Sequence, residues 1–69
     1  MVDTQNLELL ISQSGKTKTF LAQKIGKTIQ TLNLKIKNEY PFNTDEVEIL
    51  CGELSITKLS DKEKIFFKK

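Results

Sequence analysis

Two carboxamide side chains stand three residues apart in the stretch 28–37, at Gln30 and Asn33. A carboxamide both donates and accepts hydrogen bonds, so each can pair with the N6 and N7 atoms of adenine in the major groove of DNA. Ile29 and Leu34 stand beside them and offer apolar contacts for thymine methyl groups. The predicted base-reading residues are Thr28, Ile29, Gln30, Asn33 and Leu34. Because the chain has no arginine, such reading would favour A·T-containing sites.

The helix that would carry these residues follows a shorter helix after a tight turn. Two apolar stripes at helical spacing indicate the pair, and they consist of Leu21, Ala22, Ile25, Leu32 and Ile36. Gly26 is placed to end the first helix, since glycine takes a positive φ without a Cβ clash. Thr28 is placed to cap the second, and Ala22 is small enough for the two helices to approach closely.

This stretch resembles the helix-turn-helix of the Cro and CI repressor family of phages and bacteria. The shared pattern is Leu21-Ala22-x-x-Ile25-Gly26-x-Thr28-x-x-Thr31-Leu32, followed by Ile36. Lys27 departs from it, because that position is usually apolar in the family. The resemblance implies a compact all-α, lambda-repressor-like domain of four to five helices over residues 1–69, with the helix-turn-helix in helices 2 and 3. It also implies a short, Cro-like transcriptional regulator that reads the major groove of double-stranded DNA as a homodimer.

Charge is distributed unevenly along the chain, although its net value is only +2. Residues 16–37 contain six lysines and no acid, which leaves −4 for the remainder. The predicted phosphate-contacting residues are Lys16, Thr17, Lys18, Lys35 and Lys37. Backbone amides at the start of helix 2, capped by Thr17, would add to them. The alternative is that these lysines only solvate a helical surface.

Three further helices are predicted, over residues 4–14, 44–54 and 60–67. Asp3 is the expected cap of the first, and the spacing of Asn43 and Glu46 predicts a capping box for the second. Ser60 and Glu63 repeat that spacing at the last helix, although its Ile-Phe-Phe run also has β propensity. On a helix Phe66 and Phe67 cannot both face one small core, so one of them should be left for a second subunit. Phe20 and Phe42 are expected to be packed.

The composition excludes several classes of function. With no histidine and a single cysteine, Cys51, there is no zinc-finger spacing and no base for a cysteine nucleophile. We therefore expect no enzyme, catalytic residue, cofactor, metal or small-molecule substrate. The lone cysteine, the absence of a signal sequence and the absence of a long apolar run predict a cytoplasmic protein that does not enter the membrane.

Some roles stay open at this level. Ile29 either faces the groove or fills the core near Lys27, and Tyr40 either packs on a helix or bonds a phosphate. The main alternative function is an antirepressor-like protein-interaction module that uses the apolar Ile29 and Leu34 surface on the same scaffold.

Overall fold

Five α-helices form the fold of residues 1–68, the part of the chain that the computed structural model describes. They are α1 (Thr4–Ser14), α2 (Lys18–Lys24), α3 (Ile29–Ile36), α4 (Thr44–Glu53) and α5 (Leu59–Phe66). No strand occurs in this range, which confirms the predicted all-α class and rules out a strand for residues 65–67. The longest helix has 11 residues, about half the length that a bilayer-spanning helix needs, and no helix of residues 1–68 could cross a membrane.

Four of the helices begin at a side chain that accepts a hydrogen bond from the amide three residues on. These caps are Asp3, Thr17, Thr28 and Asn43, and Asn43 forms the predicted capping box with Glu46. The fifth helix is different, because α5 begins after Lys58 with no side-chain cap. The predicted start at Ser60 was therefore wrong. Burial of Ile56 before the helix and of Ile65 near its end sets its position through packing instead.

Four helices end in a left-handed residue, since Gly15, Gly26, Asn38 and Ser55 have φ values of 75°, 72°, 67° and 59°. In the turns of Gly26, Asn38 and Ser55, the amide of the following residue donates to a carbonyl of the last helical turn, for example Glu39 to Leu34 at 2.8 Å. These are Schellman motifs, which satisfy carbonyls that would otherwise lack a partner.

The core is a single apolar cluster between the helices. Its most deeply buried side chains are Leu7, Leu21, Leu32, Ile36 and Leu50. Phe66 packs edge-on against Phe42, with ring centroids 5.6 Å apart, and joins α5 to the loop before α4. Phe67 is 54% exposed, so the expectation that one of the two adjacent phenylalanines is left over is confirmed. Phe20 was expected to be packed but lies at the surface.

Gly26 and Gly52 provide a matched test of the turn between α2 and α3. A Cβ atom added at either position would have no neighbouring atom within 4 Å, so neither substitution would cause a steric clash. Gly26 has a positive φ, whereas Gly52 lies inside α4. We expect Gly26→Ala to destabilise the protein by about 1–2 kcal/mol and Gly52→Ala to stabilise it by about 0.5–1 kcal/mol, measured by urea unfolding. Equal effects of the two substitutions would contradict a left-handed turn at Gly26.

Candidate nucleic-acid interface

The outer surface of α3 brings together four of the five predicted base-reading residues. At 100° per residue, Ile29, Asn33, Lys37, Gln30 and Leu34 fall within an arc of about 140° around the helix axis. Leu32 and Ile36 lie outside this arc and are buried. The tertiary structure therefore leaves most of the arc at the surface, with Asn33 half-buried.

The two carboxamides on this surface have no partner in the protein. Neither Gln30 nor Asn33 makes a side-chain hydrogen bond with another residue of 1–68, so their donors and acceptors remain available to a ligand. Ile29 is 38% exposed and Leu34 37%. Ile29 therefore lies at the surface and not in the core.

Thr28 caps α3 as predicted, with the same side chain that was also predicted to contact bases. Its hydroxyl accepts the Thr31 amide at 3.2 Å and lies 3.0 Å from the Thr31 hydroxyl. The Thr28 hydroxyl therefore donates one hydrogen bond and accepts another at the start of α3. One acceptor position is left for a further contact, and the base-reading role of Thr28 stays a prediction.

Lys35 was predicted to contact a phosphate, and the structure places it in the interior instead. It is only 8% exposed, and its ammonium bonds the Glu46 carboxylate at 2.5 Å and the Pro41 carbonyl at 3.3 Å. The ammonium also lies 5.8 Å from the centroid of the Phe42 ring. The prediction was wrong because Lys35 lies beside Leu32 and Ile36 around the helix, on the side that packs against the rest of the protein.

The Glu46 carboxylate is held in its charged form by this pair. Burial by itself raises the pKa of Glu46, but hydrogen bonds from the Lys35 ammonium and the Asn43 amide outweigh burial and bring the pKa below the ordinary value of 4.5. Both bonds end on Oε1. The second oxygen, Oε2, is buried without a hydrogen-bond partner among residues 1–68.

Two further lysines of the basic block are paired with acids from other helices. Lys18 lies 2.8 Å from Glu8 of α1, and Lys16 lies 3.2 Å from Glu53 of α4. Both lysine side chains keep about a third of their surface exposed. Partly exposed pairs of this kind contribute little to stability and can exchange an acid for a phosphate. Thr17, between them, caps α2 by accepting the Phe20 amide at 3.1 Å.

The remaining lysines of the block present their charge to solvent. No carboxylate of residues 1–68 lies within 4 Å of the ammonium of Lys24, Lys27 or Lys37. Lys24 instead lies 5.3 Å from the centroid of the Phe20 ring, on the surface of α2. Lys24 and Lys27 were not among the predicted phosphate contacts. The available signal was their position at either side of the Gly26 turn, directly before α3.

The other candidate groups of the sequence have structural or surface positions. Cys51 is buried, and burial raises the pKa of its thiol, which keeps it neutral as a core side chain. Tyr40 is 55% exposed in the turn after α3 and does not pack into the core. Within residues 1–68 no group of three or more acidic or cysteine side chains is arranged to hold a metal ion.

Comparisons with protein-family models, curated proteins and solved structures gave no match for this chain. Its function is therefore inferred from its own residues.

Substitution of Lys35 tests whether its ion pair with Glu46 stabilises the folded protein. We expect Lys35→Met to destabilise the protein by about 3–5 kcal/mol at neutral pH, because it leaves the Glu46 carboxylate buried and unpaired. Since the folded pKa of Glu46 is lowered, the pair's contribution is complete above pH 4.5 and is lost as the pH falls through the folded value. The deficit of Lys35→Met should therefore shrink in acid, as followed by urea unfolding over a pH series.

A matched control is Lys18→Met, which breaks the pair with Glu8. It should change stability by no more than about 1 kcal/mol at any pH, because both partners are partly exposed. A deficit of Lys35→Met that does not depend on pH would show that lost packing, not the ion pair, is responsible.

Proposed function

We propose that this protein is a sequence-specific DNA-binding regulator of transcription, and that α3 enters the major groove. The observation that carries the proposal is the surface of α3, where two unbonded carboxamides lie between two exposed apolar side chains. Such a surface is complementary to base edges, which present hydrogen-bond donors and acceptors beside thymine methyl groups. Lysines that no acid neutralises lie on both sides of it, at Lys24, Lys27 and Lys37.

The connection between α2 and α3 supports a helix-turn-helix. The turn consists of residues 25–28, with the left-handed Gly26 between the end of α2 and the cap of α3. Buried Ala22 allows α2 to lie close to α3. These features agree with the resemblance to the Cro and CI repressor family, in which the second helix of the motif reads DNA.

The three lysines without an acid partner are the first candidates for phosphate contacts. Lys27 and Lys24 lie at the amino end of α3, and Lys37 at its carboxyl end, so that they flank the base-reading surface along the helix. Lys16, Thr17 and Lys18 stay as secondary contacts that form when Glu53 and Glu8 release the lysines. Lys35 is excluded, because breaking its pair would leave a buried carboxylate.

A homodimer would give such a small domain two half-sites to bind together. The exposed Phe67 adjoins a cavity of about 200 Å³ whose lining includes Met1, Tyr40 and Pro41. Burial of a phenylalanine in a symmetric interface would contribute about 1.5–3 kcal/mol per subunit. We propose that this surface joins the two subunits on a two-fold operator.

The alternative function is a protein-interaction module of the antirepressor type. Exposure of Ile29 and Leu34, and pairing of three lysines of the basic block with acids, favour it. The two functions differ in their response to salt. DNA binding through lysines should weaken steeply as salt rises, by roughly one power of the salt concentration for each phosphate contact, whereas binding through an apolar surface should not.

Base reading can be tested on sites selected from random duplex DNA. We expect Gln30→Ala and Asn33→Ala each to lose about 1–3 kcal/mol of affinity for the selected site, and to leave non-specific binding unchanged, because amide contacts to bases are lost. Gln13→Ala, an exposed amide on α1, is the control and should bind like wild type. If all three variants keep wild-type affinity for the site, α3 is not the reading helix.

The dimer surface can be tested with two exposed side chains near α5. Phe67→Ser should weaken binding to a two-fold operator much more than binding to an isolated half-site, because the exposed part of Phe67 would lie in the contact between subunits. Leu59→Ser is the control, since Leu59 is even more exposed, at 67%, but lies at the other end of α5. Equal losses of Phe67→Ser on both DNAs, with a monomer by sedimentation at high concentration, would remove this interface.

A further inference from the structure

The carboxyl end of α3 is tied to the N-terminal segment by side-chain hydrogen bonds that span more than thirty residues of sequence. Asn38 accepts the Val2 amide at 2.7 Å and donates to the Val2 carbonyl at 3.0 Å. The Thr4 hydroxyl donates to the Ile36 carbonyl at 2.6 Å. That carbonyl belongs to the last turn of α3 and has no amide partner within the helix.

The N-terminal segment is itself fixed to another part of the fold. Val2 is buried, and the Asp3 amide donates to the Ile65 carbonyl of α5 at 2.7 Å. Residues 2–4 therefore connect the end of α3 to the end of α5. Because this segment bonds both α3 and α5, it is fixed in position and can restrain the end of α3.

The other helix ends that turn in the same way lack such a connection. Ser55 follows α4 in the same left-handed conformation as Asn38, but its side chain makes no hydrogen bond within residues 1–68. Gly26, after α2, has no side chain at all. The left-handed turn as such therefore needs no long-range bond. The bonds of Asn38 are additional to the turn and are found at α3, the helix that carries the unbonded carboxamides Gln30 and Asn33.

We propose that Asn38 and Thr4 are positioning residues for base reading. They hold the outer surface of α3 in a fixed orientation relative to the N-terminal segment and to α5. This proposal rests on the proposed function, because it concerns the presentation of Gln30 and Asn33 to DNA. Direct contacts to base edges need placement within about 0.5 Å, whereas phosphate contacts through flexible lysines tolerate a larger shift. Loss of the two residues should therefore reduce sequence discrimination more than affinity for DNA in general.

The test uses the full chain of the variant Asn38→Gly/Thr4→Val, which lacks the side-chain hydrogen bonds of both residues. Glycine keeps the left-handed φ, and valine keeps the shape of threonine without its hydroxyl. We expect the ratio of specific to non-specific affinity to fall by about tenfold or more, with non-specific affinity changed by less than about twofold. Adding back the hydroxyl, in Asn38→Gly/Thr4→Ser, should recover part of the ratio. All variants are compared well below their thermal midpoints.

Matched controls separate positioning from general loss of structure. Ser55→Gly changes the equivalent turn of α4, and Ser12→Ala removes a hydroxyl that bonds only the Leu9 carbonyl within α1. Both variants should keep the wild-type ratio of specific to non-specific affinity. The proposal is overturned if the double variant keeps the ratio, if it loses specific and non-specific affinity equally, or if Ser55→Gly loses the ratio as well.

A measurement without DNA distinguishes failure of this proposal from failure of the proposed function. Residual dipolar couplings report the angle between the axes of α3 and α5 in each variant. We expect a changed angle in Asn38→Gly/Thr4→Val and the wild-type angle in Ser55→Gly. If wild type selects no DNA site, the proposed function is wrong and the angle alone decides whether these residues orient α3. An unchanged angle overturns the positioning role in either case.

Discussion

The buried pair of Lys35 and Glu46 is the interaction on which the arrangement of α3, α4 and their connecting loop depends. Within residues 1–68, Lys35 and Glu46 are the two buried charged or polar side chains. The same carboxylate oxygen completes the capping box of α4, so one atom fixes both the end of α3 and the start of α4. Because Oε2 is left unpaired, the net gain in stability is small. Loss of either partner is nevertheless costly, and the pair thereby specifies one geometry.

The loop between these helices extends that arrangement to α5. The Lys35 ammonium also bonds the Pro41 carbonyl, and the next side chain, Phe42, packs on Phe66. From the other side, residues 2–4 connect the end of α3 with Ile65. Two independent routes therefore join α3 to α5.

Half of the lysine block carries an acidic partner. Acids from α1 and α4 pair with Lys18 and Lys16, and buried Lys35 pairs with Glu46. Each pair cancels its field at a distance, so in the proposed DNA complex long-range attraction would be weaker than six lysines suggest. In that proposal, specific affinity would depend more on the amide and apolar contacts of α3.

The sequence by itself determined where four helices begin and where α2 ends. Those features need only residues three or four apart, such as Thr28 and Thr31, or a single residue with a special φ, such as Gly26. The tertiary structure alone decided which lysines are neutralised, that Asn38 binds Val2, and that Phe66 rather than Phe67 is buried. Those outcomes depend on distances through space between groups that are far apart in sequence, such as Lys16 and Glu53, which are 37 residues apart, and no local spacing encodes them.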